Sequence, residues 1–205
     1  MSIPSVYTDS QYAAYISTKY LLSLGCKKIA FMCGIGDYGD LSSAEKLFSL
    51  AHSPRAGLHV ATDRLLGYEK ALNEAHMELS TEMIFGSDLR ISGGKKTARA
   101  ILARNDIDGV LADSDAGAYG FISFVKEQGF SVPEDFCVIG FGDDSFAQLS
   151  VPGITTVSRN AQEMGRIAVK MVNRMLDGET EVSSHCITPQ LVVRGSTRKR
   201  KEKSL

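Results

Sequence analysis

The sequence predicts a soluble α/β protein built on a mostly parallel β-sheet. Segments with helical spacing of apolar residues, each about ten to fifteen residues long, alternate with short apolar runs along nearly the whole chain. These runs are apolar almost throughout, as expected for strands that helices cover on both faces. The chain has 205 residues, 43% hydrophobic and 23% charged, which is enough for one large or two small domains.

The first half of the chain contains two predicted strands, over residues 28–33 and 83–85. A short apolar piece at residues 6–8 precedes a predicted helix over residues 12–24, which ends at Gly25, a residue suited to a helix C-terminus. Residues 28–33 (KIAFMC) form an apolar run bounded by Gly34. A helix over residues 64–74 and a strand over residues 83–85 follow. In the long intervening segment, residues 34–63, we predict a helix over 42–51 and a short strand or loop over 57–61.

The second half repeats the alternation. We predict a helix over residues 94–103, a strand over 109–112, and a helix over 116–128 that ends at Gly129. Strands over residues 137–141 and 154–157 come next. Asn160 has a suitable side chain for the N-cap of a helix that extends to Met175 and ends before Gly178. Residues 184–188 and 190–193 are predicted to be terminal strands.

The charge is unevenly distributed. Residues 194–205 hold six basic residues and one acidic residue, a net charge of +5, whereas the chain as a whole carries −1. The remaining residues therefore carry −6, and an acidic body is a poor surface for nucleic acid because duplex binding depends on neutralising phosphates. We expect the basic residues to form a solvated C-terminal tail.

Cysteine and histidine usage predicts neither disulfides nor a metal site. The four cysteines form no CxxC pair, and Cys33 and Cys137 lie inside apolar runs, which favours reduced thiols in a cytoplasmic protein. The four histidines lack ligand spacing. No apolar run approaches the roughly 18 residues that span a bilayer, and residues 1–11 do not have the pattern of a signal peptide. We expect a cytoplasmic protein without a metal or cofactor.

Polar residues follow two of the predicted strands. They are Asp113, Ser114 and Asp115 after one, and Gly142, Asp143 and Asp144 after the other. In open parallel sheets, ligands bind beyond the carboxyl ends of the strands, and Arg64 opens a helix nearby. Carboxylates, a hydroxyl and a guanidinium suit a polyhydroxylated ligand such as a sugar. The alternative is that Asp115 and Asp143 only cap helix N-termini.

The sequence offers little support for an enzyme. It lacks the motifs of serine hydrolases, zinc proteases and P-loop proteins, and we can name no nucleophile with a positioned base. One motif favours the alternative of an NAD-dependent enzyme. Gly34, Gly36 and Gly39 form a GxGxxG pattern directly after a strand, as in NAD-binding Rossmann enzymes. Asp37 would oppose a bound pyrophosphate, so we prefer a plain glycine-rich loop.

The chain resembles the LacI/GalR family of bacterial transcription regulators over residues 6–197. The matching segments occur in order: LGCKKIAF (24–31), DRLLGY (63–68), DGVLADSDAGAYG (108–120), VPEDFCVIGF (132–141), PGITTV (152–157), Met164-Gly165 and LVVRGST (191–197). Each segment alone is weakly specific, whereas their order and spacing together are specific.

The resemblance implies effector-binding residues. Arg64 matches an arginine that contacts the effector in the family, and Ser114 with Asp115 matches an Asn/Ser-Asp pair. The family has an effector-contacting aspartate where this chain has Gly142, so Asp143 is the expected substitute. We predict Arg64, Ser114, Asp115 and Asp143 as the effector site.

The resemblance also implies a periplasmic-binding-protein-like, Rossmann-like parallel lobe with an incomplete N-terminal lobe. We expect residues 1–9 to end that lobe, residues 10–151 to form the C-terminal effector lobe, residues 152–180 to return to the N-terminal lobe, residues 181–193 to pack back on the C-terminal lobe, and 194–205 to form the tail.

The implied function is effector control of transcription by a homodimer. The effector is expected to be a sugar or related metabolite, and operator DNA would be bound only through a helix-turn-helix headpiece that this sequence lacks. A solute-binding protein for sugar transport is a further alternative, disfavoured by the lack of a signal peptide.

Overall fold

A computed structural model describes residues 3–34, 43–53 and 60–200. Most of these residues form one lobe around a six-stranded sheet in the order β3-β2-β4-β5-β6-β8. The first five strands are parallel, and β8 pairs antiparallel with β6. The strands are β2 (Ile29–Cys33), β3 (Ile84–Gly86), β4 (Gly109–Ala112), β5 (Cys137–Gly142), β6 (Thr155–Ser158) and β8 (Gln190–Val192). The predicted α/β class with a mostly parallel sheet is confirmed.

Helices cover both faces of this sheet. The helices are α1 (Ser10–Ser23), α2 (Ala44–Ala51), α3 (Val60–Glu74), α4 (Ile91–Leu102), α5 (Asp115–Glu127) and the short α6 (Ser145–Leu149). Successive strand residues point to opposite faces. In β2, Ala30 and Met32 therefore pack beneath α4 and α5, whereas Ile29 and Phe31 pack beneath α1 and α3. Both faces are buried, which is why the strands are apolar throughout.

Glycines allow two pairs of helices to approach closely. A Cβ on Gly67 of α3 would lie 2.0 Å from the Gln11 carbonyl oxygen of α1. A Cβ on Gly94 of α4 would lie 2.1 Å from the Gly117 carbonyl oxygen of α5, and one on Gly120 would lie 2.2 Å from the Ile91 carbonyl oxygen. These contacts are between backbones, so the helices would have to separate to accommodate any side chain.

The segment after β8 belongs to the lobe through Arg200, so the expected solvated tail is wrong for residues 194–200. Ser196 is fully buried: its hydroxyl donates to the Val138 carbonyl at 2.6 Å and accepts from the Thr155 amide at 2.8 Å. Arg200 donates its amide to the Leu24 carbonyl at 2.8 Å. These hydrogen bonds, made by a hydroxyl and by the backbone, hold residues 194–200 against the lobe. They do so although the segment is basic.

A second, smaller unit consists of β1 (Val6–Thr8), β7 (His185–Ile187) and α7 (Ala161–Leu176). β1 and β7 pair in parallel as a separate two-stranded sheet. Of the two expected terminal strands, only β8 packs on the main sheet, whereas β7 pairs with β1. The return to the smaller unit begins after Ser158, because β6 belongs to the main sheet.

One face of α7 is apolar and exposed. Its exposed apolar side chains, 47% to 79% accessible, are Val169, Val172, Met175 and Leu176, and Met171 is its one buried residue. Within the described residues, the smaller unit has only these three elements, which fits the predicted incomplete N-terminal lobe.

Several element predictions differ from the structure. The helix over 42–51 is present as α2, but residues 60 and 61 begin α3 instead of ending a strand or loop. The helix predicted from residue 94 begins at Ile91, and α6 was not predicted. Residues 35–42 and 54–59 lie outside the described part, so most of the GxGxxG motif does too.

Gly94→Ala is expected to lower the free energy of unfolding by about 1–3 kcal/mol, since the methyl group would force α4 from α5. Gly165→Ala in α7 is the matched control. A Cβ there meets nothing within 4 Å, and alanine should stabilise the helix by up to about 1 kcal/mol. Urea denaturation with comparison of midpoints checks both; an unchanged midpoint for Gly94→Ala would contradict the close-packing argument.

Candidate functional site

A cavity of about 480 Å³ opens at the carboxyl ends of β2, β4 and β5. We call it the cleft. Its lining combines charged, hydroxyl and apolar side chains: Cys33, Arg64, Leu89, Asp113, Ser114, Phe141, Asp144 and Arg159 are among them. The cleft lies where ligands bind in open parallel α/β sheets, and its volume suits a small molecule.

Arg64 is positioned by the packing of α3. One residue further along the helix, Leu65 is fully buried, and the Tyr68 hydroxyl donates to the Ile29 carbonyl of β2 at 2.7 Å. Together with the close approach at Gly67, these contacts fix α3 against α1 and β2. Arg64 therefore reaches the cleft from a rigid support.

The Arg64 guanidinium lies 3.6 Å from the centroid of the Phe141 ring, and its Nη1 donates to the Asp113 carbonyl oxygen at 2.7 Å. Burial lowers the pKa of Arg64 to about 10, so it remains cationic at neutral pH. Its Nε has no hydrogen-bond partner among the described residues. Arg64 thus lies in the lining of the cleft with one unpartnered donor, and its contact with an effector stays a prediction.

Ser114 also lines the cleft, but most of its hydrogen-bonding capacity is used locally. Its hydroxyl accepts from the Gly117 amide at 3.0 Å as the N-cap of α5, and it donates to the Leu89 carbonyl at 2.9 Å. One acceptor position remains for a ligand. Ser114 therefore combines a capping role with a place on the cleft wall.

Asp115 lies behind the cleft wall and is fully buried. Its two carboxylate oxygens accept from the Thr156 hydroxyl at 2.5 Å and from the Asp144 amide at 2.9 Å. Burial raises its pKa, while these hydrogen bonds act in the opposite direction. The arrangement makes Asp115 a positioning residue, and the N-caps are its neighbours Ser114 for α5 and Asp144 for α6.

Asp143, the expected substitute contact, is not among the residues that line the cleft. Its carboxylate forms an ion pair with Arg194, whose Nη2 donates to Asp143 Oδ1 at 2.6 Å. The backbone turns at this point, because φ is 133° at Gly142 and 60°, in the left-handed region, at Asp143. The ion pair with Arg194 forms at this turn. The predicted set therefore separates into two cleft residues, one positioning residue and one ion-paired residue.

Three charged cleft residues were not in the predicted set: Asp113, Asp144 and Arg159. The two aspartates follow β4 and β5, so the rule of polar residues after strands identifies them. The resemblance directed attention to their neighbours instead. Arg159 directly follows β6, and the same rule would have found it.

A larger depression of about 960 Å³ lies at the opposite, amino-terminal edge of the sheet. Four of its charged groups form two ion pairs, Arg198 with Glu134 at 2.8 Å and Arg200 with Asp108 at 3.6 Å. No side-chain polar atom of its lining is buried without a partner, among the residues that the structure describes. We therefore assign the functional site to the smaller cleft.

No metal-binding group of three histidine, cysteine or acidic side chains is present in residues 3–34, 43–53 and 60–200. In the same ranges, no helix combines the length and apolarity needed to cross a membrane. All four cysteines are free thiols.

The chain is similar to several bacterial transcription regulators. It is 31% identical over 197 residues to the HTH-type transcriptional regulator RegA of Clostridium saccharobutylicum, covering 95% of this chain and 54% of RegA. The transcription regulator CcpA of Lactococcus lactis has a similar structure, with a TM-score of 0.80, 29% identity, and 96% and 65% of the two chains covered. A transcriptional regulator CelR–cellobiose complex gives a TM-score of 0.78 and 27% identity, covering 95% and 54%.

The chain spans about half the length of the curated relatives it matches. The model of the periplasmic binding protein-like domain matches residues 18–197, which is most of the chain. The chain therefore belongs to the family of periplasmic binding protein-like domains, and its resemblance to the LacI/GalR regulators is confirmed.

Proposed function

We propose that this chain is the effector-binding core of a bacterial transcription regulator and that its effector is a sugar. The observation that carries the proposal is the cleft itself, where a fixed guanidinium lies over an aromatic ring beside a carboxylate and a hydroxyl. A relative with 27% identity is described in complex with cellobiose.

The cleft chemistry supports a polyhydroxylated ligand. Each hydroxyl of a sugar both donates and accepts, so it is best bound by a wall that alternates cationic donors with carboxylate acceptors. Arg64 and Arg159 are the donors, and Asp113 and Asp144 are the acceptors. The mixed charge disfavours a strongly anionic or strongly cationic ligand, which would meet one repulsive pair.

In this proposal, the effector controls transcription by changing the relative position of two lobes. The ligand can shift that equilibrium only through its different affinity for the two arrangements. We assign operator binding to a helix-turn-helix headpiece outside these 205 residues, because the net charge of −6 on residues 1–193 opposes contact with phosphates. Such a regulator acts in the bacterial cytoplasm, where the chromosome lies.

We further propose that the protein acts as a homodimer. Tyr119 of α5 and Phe146 of α6 have ring centroids 5.5 Å apart and are each 36% exposed. Leu149 and Val151, 81% and 78% exposed, extend this apolar patch. Contiguous exposed apolar side chains are typical of association surfaces.

We propose no catalytic activity. This proposal rests on the relatives, which are transcription regulators.

Arg64→Met is expected to weaken effector binding while leaving an apolar side chain beside the Phe141 ring. Loss of charge-assisted hydrogen bonds should weaken binding by roughly tenfold to a hundredfold. A thermal-shift screen against ribose, galactose and cellobiose checks this, since a hundredfold excess over Kd stabilises the wild type by about 2.7 kcal/mol. Arg104→Met, which removes the ion pairs of Arg104 with Glu82 and Asp106 on the surface, is the control. The proposal fails if no sugar stabilises the wild type.

Leu149→Glu is expected to convert the homodimer to a monomer, because a carboxylate would be buried at the apolar patch. Sedimentation equilibrium gives the mass directly. Leu176→Glu is the matched control, since Leu176 is 79% exposed on α7 and lies outside the patch. A monomeric wild type, or dissociation caused by Leu176→Glu and not by Leu149→Glu, would contradict the assignment of this surface.

A further inference from the structure

The side chain of Asp113 takes no part in the hydrogen bonds that hold the described residues together. It follows β4, lines the cleft and is only 6% exposed. Neither of its carboxylate oxygens has a hydrogen-bond partner among the described residues, and Asp113 is the only carboxylate there that is buried in this way. Buried polar groups are ordinarily hydrogen-bonded, so this carboxylate needs a physical explanation.

A structural carboxylate in this lobe has different surroundings. Asp115 is bonded to Thr156 and to the Asp144 amide, and Asp108 accepts from the amides of Lys27 and Lys28 at 2.9 Å. Asp113 instead faces a cavity. Leaving a buried acceptor unpaired costs free energy, and this cost is typical of sites prepared for a ligand.

We propose that Asp113 binds the effector directly, by accepting hydrogen bonds from two adjacent hydroxyl groups of a sugar. The inference rests on the proposed function and specifies the sugar groups that the cleft recognises, namely two adjacent hydroxyl donors. An ionised carboxylate is an acceptor with two oxygens, which matches the two donors of a vicinal diol. The unpartnered Nε of Arg64 supplies a donor to the oxygens of the same hydroxyls.

Binding of this kind is coupled to the ionisation of Asp113. Burial raises the pKa of Asp113 to about 7, and the nearby Arg64 guanidinium opposes that rise. The amides of Gly34 and of Asp113 itself also favour the charged form, without meeting the geometry of a hydrogen bond. A diol that donates to the charged form lowers this pKa, so binding releases a proton and tightens as pH rises.

The other titratable groups around Asp113 do not explain an effector affinity that rises with pH. Arg64 has its pKa lowered to about 10, and burial raises the pKa of the Cys33 thiol, so both keep their protonation state between pH 6 and 8. Hydrogen bonds from Arg90, Ser92 and Gly93 hold the pKa of Asp88 low. Arg159 and Asp144 complete the charged lining, and His52 bonds to Phe48 and Glu69 outside it.

Isothermal titration of ribose, galactose and cellobiose into the full 205-residue chain tests the proposal. For a sugar that binds, affinity for the wild type should rise by up to about tenfold from pH 6 to pH 8. Titration at pH 7 in two buffers of different ionisation enthalpy should show proton release. Asp113→Asn should bind at least tenfold more weakly at pH 8 and lose the pH dependence. Asp106→Asn, an exposed residue paired with Arg104, should behave as the wild type.

Deoxy analogues of the bound sugar test the diol. Removal of either of two neighbouring hydroxyls should weaken wild-type binding by about tenfold and should weaken binding to Asp113→Asn much less, as a double-mutant cycle requires for direct contact.

A ligand-free measurement guards against indirect effects of the substitution. The folded state keeps Asp113 protonated to a higher pH than the unfolded chain does, so this group reduces stability as pH rises from about 4 to about 7. The melting temperature of Asp113→Asn minus that of the wild type should therefore increase by roughly 4 °C between pH 5 and pH 8. A pH-independent difference would show a carboxylate already paired in the free protein and would overturn the inference.

The outcomes separate the two proposals. Sugar binding that is independent of pH and retained by Asp113→Asn overturns the role of Asp113 and leaves the effector core intact. Absence of sugar binding to the wild type at pH 8 overturns the proposed function, and this inference with it.

Discussion

The buried carboxylate of Asp115 holds the ends of three neighbouring strands together, and the shape of the cleft depends on it. Asp115 follows β4, its Thr156 partner lies on β6, and its Asp144 partner follows β5. Gly140 on β5 makes the contact possible, because a Cβ there would lie 2.2 Å from the carboxylate. One side chain thus fixes the edge from which Ser114, Phe141 and Asp144 line the cleft.

The carboxylates of Asp113 and Asp115 differ in their hydrogen bonding although the two residues are only two positions apart. Asp115 is hydrogen-bonded on both oxygens, whereas Asp113 is buried without a partner among the described residues. The hydrogen bonds of Asp115 connect the ends of the strands, and Asp113 lines the cleft beside them. Arg64 is held by packing of α3. For the proposed function, this means that the fold satisfies the neighbouring groups and leaves the Asp113 carboxylate and the Arg64 Nε available.

The sequence predicted the parts of this lobe that local pattern determines. Strands β4 and β5 are continuous apolar runs, and the N-cap Asn160 and the cleft residues Arg64 and Ser114 were identified from position along the chain. What it missed depends on distant contacts. Asp143 turns to Arg194, 51 residues later in the chain, and residues 194–200 have a basic composition but enter the sheet through backbone and hydroxyl bonds. The five-residue α6 is too short to show periodicity.

The position of Ser196 next to β5 and β6 has a consequence for how the lobe is made. Its hydroxyl and backbone join β5 to β6, yet it comes after every strand in the chain. During translation, β5 and β6 therefore emerge from the ribosome well before Ser196 and before β8, the strand that pairs with β6. The edge of the nascent sheet stays open over that interval, and unpaired strand edges attract other chains. We expect the lobe to depend on late closure, with chaperone protection most useful just before residues 190–200 are released.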